Sequence, residues 1–187
     1  LTLLPIVIVL AGCGRSPEPE KPAGRPAPAP LLELARSPEI DLDATAVLYD
    51  ARGAVVDQVW FQQLRSKDGS VVHTGDNRTG AGDGDDEQIS VDLNAVPANV
   101  KALVFTVNSF TGQNFSQVQN AYCRLVDASG NKEVARYDLS VQGAHTAQVM
   151  AKLYRHNGEW KMHAIGENGT GKSTLLRAVA TARSTTF

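Results

Sequence analysis

Between residues 41 and 165, apolar and polar side chains alternate over short runs, each closed by Gly, Asp, Asn or Pro. A period of two puts neighbouring side chains on opposite faces of an extended chain, and many such runs in succession predict an all-β domain. The runs fall at 44–49, 55–64, 88–93, 102–107, 121–126 and 133–139. Asp50-Ala51-Arg52-Gly53 and Lys67-Asp68-Gly69 supply turns, and Asp127-Ala128-Ser129-Gly130 joins two of the runs. The stretch from Ser109 to Gln119 is polar around Phe110 and Phe115 and reads as a short helix or an ordered loop.

The clearest piece is the last hairpin. Asn157-Gly158 favours a two-residue type I′ turn, which pairs His156 with Glu159, Tyr154 with Lys161 and Lys152 with His163. Those six share a polar face, whereas Ala151, Leu153, Arg155, Trp160, Met162 and Ala164 form a largely apolar one. One wet face and one dry face predict an outer strand pair of a β-sandwich. His156 and His163 then stand on the wet face, and no Cys or second His lies at zinc spacing from them.

Composition adds bounds. With 187 residues and 42% hydrophobic side chains, one domain with tails is expected. A net charge of −2 speaks against a nucleic-acid partner, which calls for a basic excess. Two cysteines, Cys13 and Cys123, are too few for a disulfide framework. Cys123 alternates with Ala121 and Leu125 and reads as a small buried apolar residue. There is no Gly-x-Ser-x-Gly elbow, and no paired carboxylates stand out on a helix. The chain is expected not to be an enzyme and to hold no catalytic residues.

The two ends read differently from the middle. Leu1 to Ala11 is an apolar run too short to span a bilayer as a helix. It resembles the apolar stretch of a secretory leader, and Leu10-Ala11-Gly12-Cys13 resembles the lipobox of bacterial lipoproteins, with Cys13 as the lipidated residue. Ser16 to Pro30 is Pro-rich and reads as a solvated spacer. At the other end, Gly166-Glu167-Asn168-Gly169-Thr170-Gly171-Lys172-Ser173 matches the P-loop pattern, in which loop amides and a lysine cradle phosphates. Gly171, Lys172 and Ser173 would then contact nucleotide. Against this, a P-loop needs a parallel α/β sheet that also supplies a carboxylate for Mg²⁺, and the strand ahead of it belongs to a hairpin. The expected divisions are 1–13 leader-like, 14–38 linker, 39–167 folded domain and 168–187 a poorly ordered or helical tail.

The segment from Gly75 to Glu87 carries the candidate chemistry. Of its thirteen residues, five are carboxylates (Asp76, Asp83, Asp85, Asp86 and Glu87), four are glycines and one, Arg78, is basic. Such a run is either a solvated acidic loop or a cage for a hard cation, because Ca²⁺ takes six to eight oxygens from carboxylates, carbonyls and amides. The alternating run that follows gives the loop a stiff support and favours the cage. Asn77 adds an amide oxygen.

The same segment, Val71-Val72-His73-Thr74-Gly75-Asp76-Asn77-Arg78-Thr79-Gly80 through Asp83-Gly84-Asp85-Asp86-Glu87, resembles the TerD family of tellurium-resistance and stress-response proteins. Asp41-Leu42-Asp43-Ala44, Leu103 through Phe110, Ala121-Tyr122-Cys123-Arg124-Leu125 and His145-Thr146-Ala147 follow the family's order. The resemblance implies a two-sheet β-sandwich that binds Ca²⁺ without catalytic activity, possesses stress-response proteins as partners and resides in the cytoplasm. A genuine leader would instead make the chain a cell-envelope lipoprotein, touching membrane only through Cys13. The resemblance also adds Asp41, Asp43 and, at a strand end, Asn108 to the ligand set. Family members carry a further β segment ahead of Asp-Leu-Asp-Ala, where this chain has a Pro-rich stretch, so an exposed sheet edge is expected. The rival readings are a P-loop nucleotide-binding fragment and a metal-independent, lipid-anchored interaction module.

Overall fold

A computed structural model describes residues 6–11 (as backbone), 42–75, 87–109, 112–117, 122–128, 130, 132–139 and 143–170. Among these described residues, ten strands form two five-stranded sheets. They are β1 (Ile6–Ala11), β2 (Leu42–Tyr49), β3 (Val55–Val59), β4 (Val71–His73), β5 (Glu87–Val91), β6 (Ala102–Ser109), β7 (Tyr122–Asp127), β8 (Lys132–Asp138), β9 (Ala147–His156) and β10 (Glu159–Gly169). One sheet runs β4-β5-β1-β7-β8 and the other β10-β9-β6-β2-β3, with antiparallel pairing throughout. The fold is the expected all-β sandwich.

Alternation explains the core. Leu42, Ala44, Ala46 and Leu48 of β2 pack between the sheets with Leu103, Phe105 and Val107 of β6 and Ile89 and Val91 of β5. Each fully buried Leu, Ile or Phe contributes about 1.5–3 kcal/mol relative to exposure. Trp160 closes one end, its indole N–H donating to the Leu93 carbonyl at 3.1 Å. Cys123 is buried in this core, as its alternation predicts.

Four features depart from the sequence reading. First, a strand does precede β2 in the chain. Ile6–Ala11 takes the middle of the first sheet, paired on both sides, because a run without polar side chains suits a strand flanked by neighbours. Second, the run expected over 55–64 stops at Val59. Trp60 and Gln63 exchange backbone hydrogen bonds at 3.1 and 2.9 Å and close a turn there. Third, β4 is a separate strand of three residues. Fourth, the outer face of the second sheet is not wet along its length. The hairpin register is as expected, Asn157 and Gly158 both have positive φ, and His156, Lys161 and His163 are exposed. Lys152 on that face is nevertheless fully buried. It lies beside a second apolar cluster of Val47, Tyr49, Ala102, Val104 and Val149, with its ammonium 5.5 Å from the Tyr154 ring. Burial lowers the Lys152 pKa, while its long alkyl stem gains from apolar contact.

Candidate metal centre

The acidic segment leaves β4 and enters β5 through a clamp. The Thr74 N–H donates to the Gln88 carbonyl and the Gln88 N–H donates to Thr74 Oγ1, both at 2.9 Å. Next to the clamp, Glu87 and His73 point between the sheets and are buried. Glu87 Oε2 accepts the Ala44 N–H of β2 at 3.0 Å. Strand β3 pairs with β2 only from Ala46 onward, so this amide lies past the end of that ladder and the carboxylate satisfies it. A buried amide left unpaired costs about 1–3 kcal/mol. His73 Nδ1 accepts the Gly75 N–H at 3.0 Å. That bond places the imidazole proton on Nε2, which faces Glu87 Oε2 at 3.4 Å.

Asp43 and Asn108 are cross-strand partners on β2 and β6. Leu42, Ala44 and Ala46 face the main core whereas Val47 and Tyr49 belong to the outer cluster, so the period of two sets Asp43 on the outer face. Asn108 shares that face, its Nδ2 lying 3.5 Å from Thr106 Oγ1. Asp43 is nearly buried at 6% exposure. The structure therefore brings Asp43 and Asn108 side by side and sets Glu87 on the opposite side of β2.

Asp41, Asp76, Asn77, Asp83, Asp85 and Asp86 lie outside the described residues, as do Cys13, Gly171, Lys172 and Ser173. Among the described residues, no group of three or more His, Cys, Asp or Glu side chains is placed to hold a metal ion. The donor chemistry of the full candidate set is carboxylate and amide oxygen, which suits Ca²⁺ and is a poor match for softer metals. Imidazole does not enter it, since His73 is engaged with Gly75 and Glu87.

Two further arrangements bear on function. Asp57 is a buried carboxylate that accepts the Gln58 N–H at 3.0 Å, the Gln63 side chain at 2.9 Å and the Lys67 N–H at 2.7 Å. Burial pushes its pKa up, but these hydrogen bonds outweigh that and hold it below the usual carboxylate range. It anchors the turn after β3, and nothing in its sequence spacing announces this. At the other end, Glu167, Asn168 and Gly169 continue β10, paired with Val149, Gln148 and Ala147. In a phosphate cradle the amides converge on one anion. Here the first half of the Gly-rich string is committed to a β ladder, past a bulge at Gly166.

A two-sheet antiparallel sandwich whose connection from β4 is clamped where it enters β5 defines the class: an all-β sandwich domain. The TerD domain family model matches residues 23–182, and the chain belongs to that family. It is 54% identical over 134 residues to the tellurium resistance protein TerZ of Serratia marcescens, covering 72% of this chain and 69% of the relative. It is 46% identical over 141 residues to the tellurium resistance protein TerD of the same organism, covering 71% and 73% of the two chains. General stress protein 16U of Bacillus subtilis is 45% identical over 141 residues, with 71% and 73% covered. The crystal structure of a homologue of telluride resistance protein (TerD) from Streptomyces coelicolor A3(2) superposes with a TM-score of 0.71 at 22% identity, covering 93% of this chain and 95% of that one. That likeness shows the fold.

Proposed function

We propose that this chain is a non-enzymatic, Ca²⁺-binding TerD domain that serves in resistance to tellurium and in the wider stress response. The observation that carries the reading is the fastening of the acidic segment to the Asp-Leu-Asp-Ala strand by the 3.0 Å bond between Glu87 and the Ala44 amide. This bond ties the end of a carboxylate-rich loop to the residue beside Asp43. The relatives named for tellurium resistance and general stress supply the physiological side.

On this reading Asp76, Asp83, Asp85 and Asp86, with Asn77, form the loop's oxygen set, and Asp41, Asp43 and Asn108 form the strand-borne set. Two sets on two segments suit two neighbouring ions. Glu87 holds the segments together rather than filling a place in the strand-borne set. Bound Ca²⁺ would screen the crowded carboxylates and join the segments, stabilising the fold by about 2.7 kcal/mol when the free ion is at 100 times its dissociation constant. Other stress-response proteins are the partners expected to recognise the ion-loaded loop.

Replacing Asp85 and Asp86 by Asn removes two charges at nearly constant size. In cells that depend on this chain to survive tellurite, that variant should fail to protect while accumulating to the same level. Its Ca²⁺ affinity should fall about tenfold or more, because affinity follows ligand charge. Full protection by a variant that no longer binds Ca²⁺ would refute the link between calcium and resistance.

A further inference from the structure

Strand β1 occupies the middle of its sheet. Ile8 stands opposite Ile89 of β5 on one side and Leu125 of β7 on the other, and Leu10 stands opposite Glu87 and Cys123. Removing such a strand would leave two facing edges, each a row of unpaired N–H and C=O groups. Those edges belong to strands whose Ile89, Val91, Cys123 and Leu125 are all buried in the core. Yet the same residues, Ile-Val-Ile-Val-Leu-Ala, form the apolar stretch ahead of the lipobox-like Leu10-Ala11-Gly12-Cys13. A cut ahead of Cys13 would remove the sheet's central strand, so one molecule cannot both lose this stretch and keep the ladder.

We propose that the gap between β5 and β7 is a strand-acceptor slot whose occupant is Ile6–Ala11 of the same chain. The complete sandwich then exists only in chains that retain this segment, and a chain lacking it takes up an extended apolar peptide of the same kind in trans. Three observations carry this. The pairing is antiparallel and in register on both sides over five or six residues. The segment is rich in β-branched residues and lacks polar ones, the composition of a strand flanked on both sides. Pro5 immediately precedes the ladder, where its missing N–H is tolerated. Main-chain pairing of an extended segment between two sheet edges is an established mode of peptide binding. Residues 12–41 separate β1 from β2, a length that spans roughly 100 Å when extended.

The register provides the test. In full-length chain carrying Cys13→Ser, Leu10→Cys sets a new thiol opposite the native Cys123. Cross-strand partners have Cα atoms about 4.5–5.5 Å apart, within the roughly 4.4–6.8 Å that a disulfide spans. Oxidation with diamide should give a monomer with an internal disulfide, whereas Val9→Cys, opposite Arg124, should keep both thiols. Equal reactivity of the two variants would overturn the placement, and a disulfide-linked dimer would overturn the same-chain occupant in favour of a second copy. A chain without residues 1–11 should lose its cooperative melt and regain it with a synthetic peptide of residues 4–11 extended by lysines. The same peptide carrying Ile8→Pro should not restore it. A truncated chain that melts like the full one would sink the slot; should the truncation aggregate, the disulfide experiment still decides.

Discussion

Gly166 on β10 faces the ring of Tyr137 on β8, and the pair closes one side of the sandwich where the two edge strands meet. A Cβ on Gly166 would stand 2.7 Å from Tyr137 Cε1, and Gly166 has φ +68°. It sits where the β9–β10 register shifts between Ala164 and Glu167. Both the left-handed backbone and the close ring demand a residue without a side chain. Gly166→Ala should cost about 1–3 kcal/mol in urea unfolding, from backbone strain together with the displaced ring. Tyr137→Ala added to that variant should relieve the ring's share and leave the backbone's. A Gly166→Ala protein as stable as the parent would show that the bulge adopts another form.

Glu87 offers a separation of structural from ligand roles. Glu87→Ala strips the buried Ala44 amide of its acceptor and leaves His73 Nε2 facing no carboxylate. We expect a loss of about 1–3 kcal/mol, the cost of leaving the buried Ala44 amide unpaired. Glu87→Gln keeps an acceptor oxygen and should lose less. Both losses should persist in EDTA. A loss seen only with Ca²⁺ present would make Glu87 a ligand instead of a fastener.

Tyr49 lies fully buried in the outer cluster, and among the described residues its hydroxyl has no hydrogen-bond partner. Burial pushes its pKa up to about 12, against about 10 in an unfolded chain. Since the folded value is the higher, its contribution is complete below pH 10 and is lost as pH rises from 10 to 12. The effect is on the order of 2–3 kcal/mol across that window. Tyr49→Phe should therefore flatten the decline of stability above pH 10. At pH 7 it should cost nothing or gain slightly, since it removes an unpaired buried hydroxyl. Parallel pH profiles for the two proteins would contradict this.

Much of the frame was legible because a two-residue period is local. The runs around Ala44, Ala102 and Glu133, and the Asn157-Gly158 hairpin with its register, needed nothing from the rest of the chain. What escaped depends on partners far away. Ile6–Ala11 looks the same whether it will cross a membrane interface or fill a sheet, and its neighbours Ile89 and Leu125 decide. Lys152 alternates with apolar residues as a solvated lysine does, and only the cluster around Val47 and Tyr49 reveals that its face is covered. Glu87 carries the charge of a ligand, but its buried direction is set by the amide of Ala44, forty-three positions away. Asp57 likewise binds groups six and ten positions on, at no recognisable spacing. The acidic loop between Asp76 and Asp86 lies outside the described residues, whereas the family's Asp-Leu-Asp-Ala motif pointed to the strand beside which Glu87 fastens.

The most direct test of the calcium reading is calorimetric titration of the metal-stripped chain with Ca²⁺ and, separately, Mg²⁺. A carboxylate-rich oxygen donor set suits the larger ion, because Mg²⁺ demands near-octahedral geometry and holds its waters. We expect saturable heat with Ca²⁺, much weaker binding of Mg²⁺, and loss of the Ca²⁺ signal in the Asp85→Asn, Asp86→Asn variant. A folded chain that gives no heat with Ca²⁺ beyond dilution, or that answers both ions alike, would contradict the account.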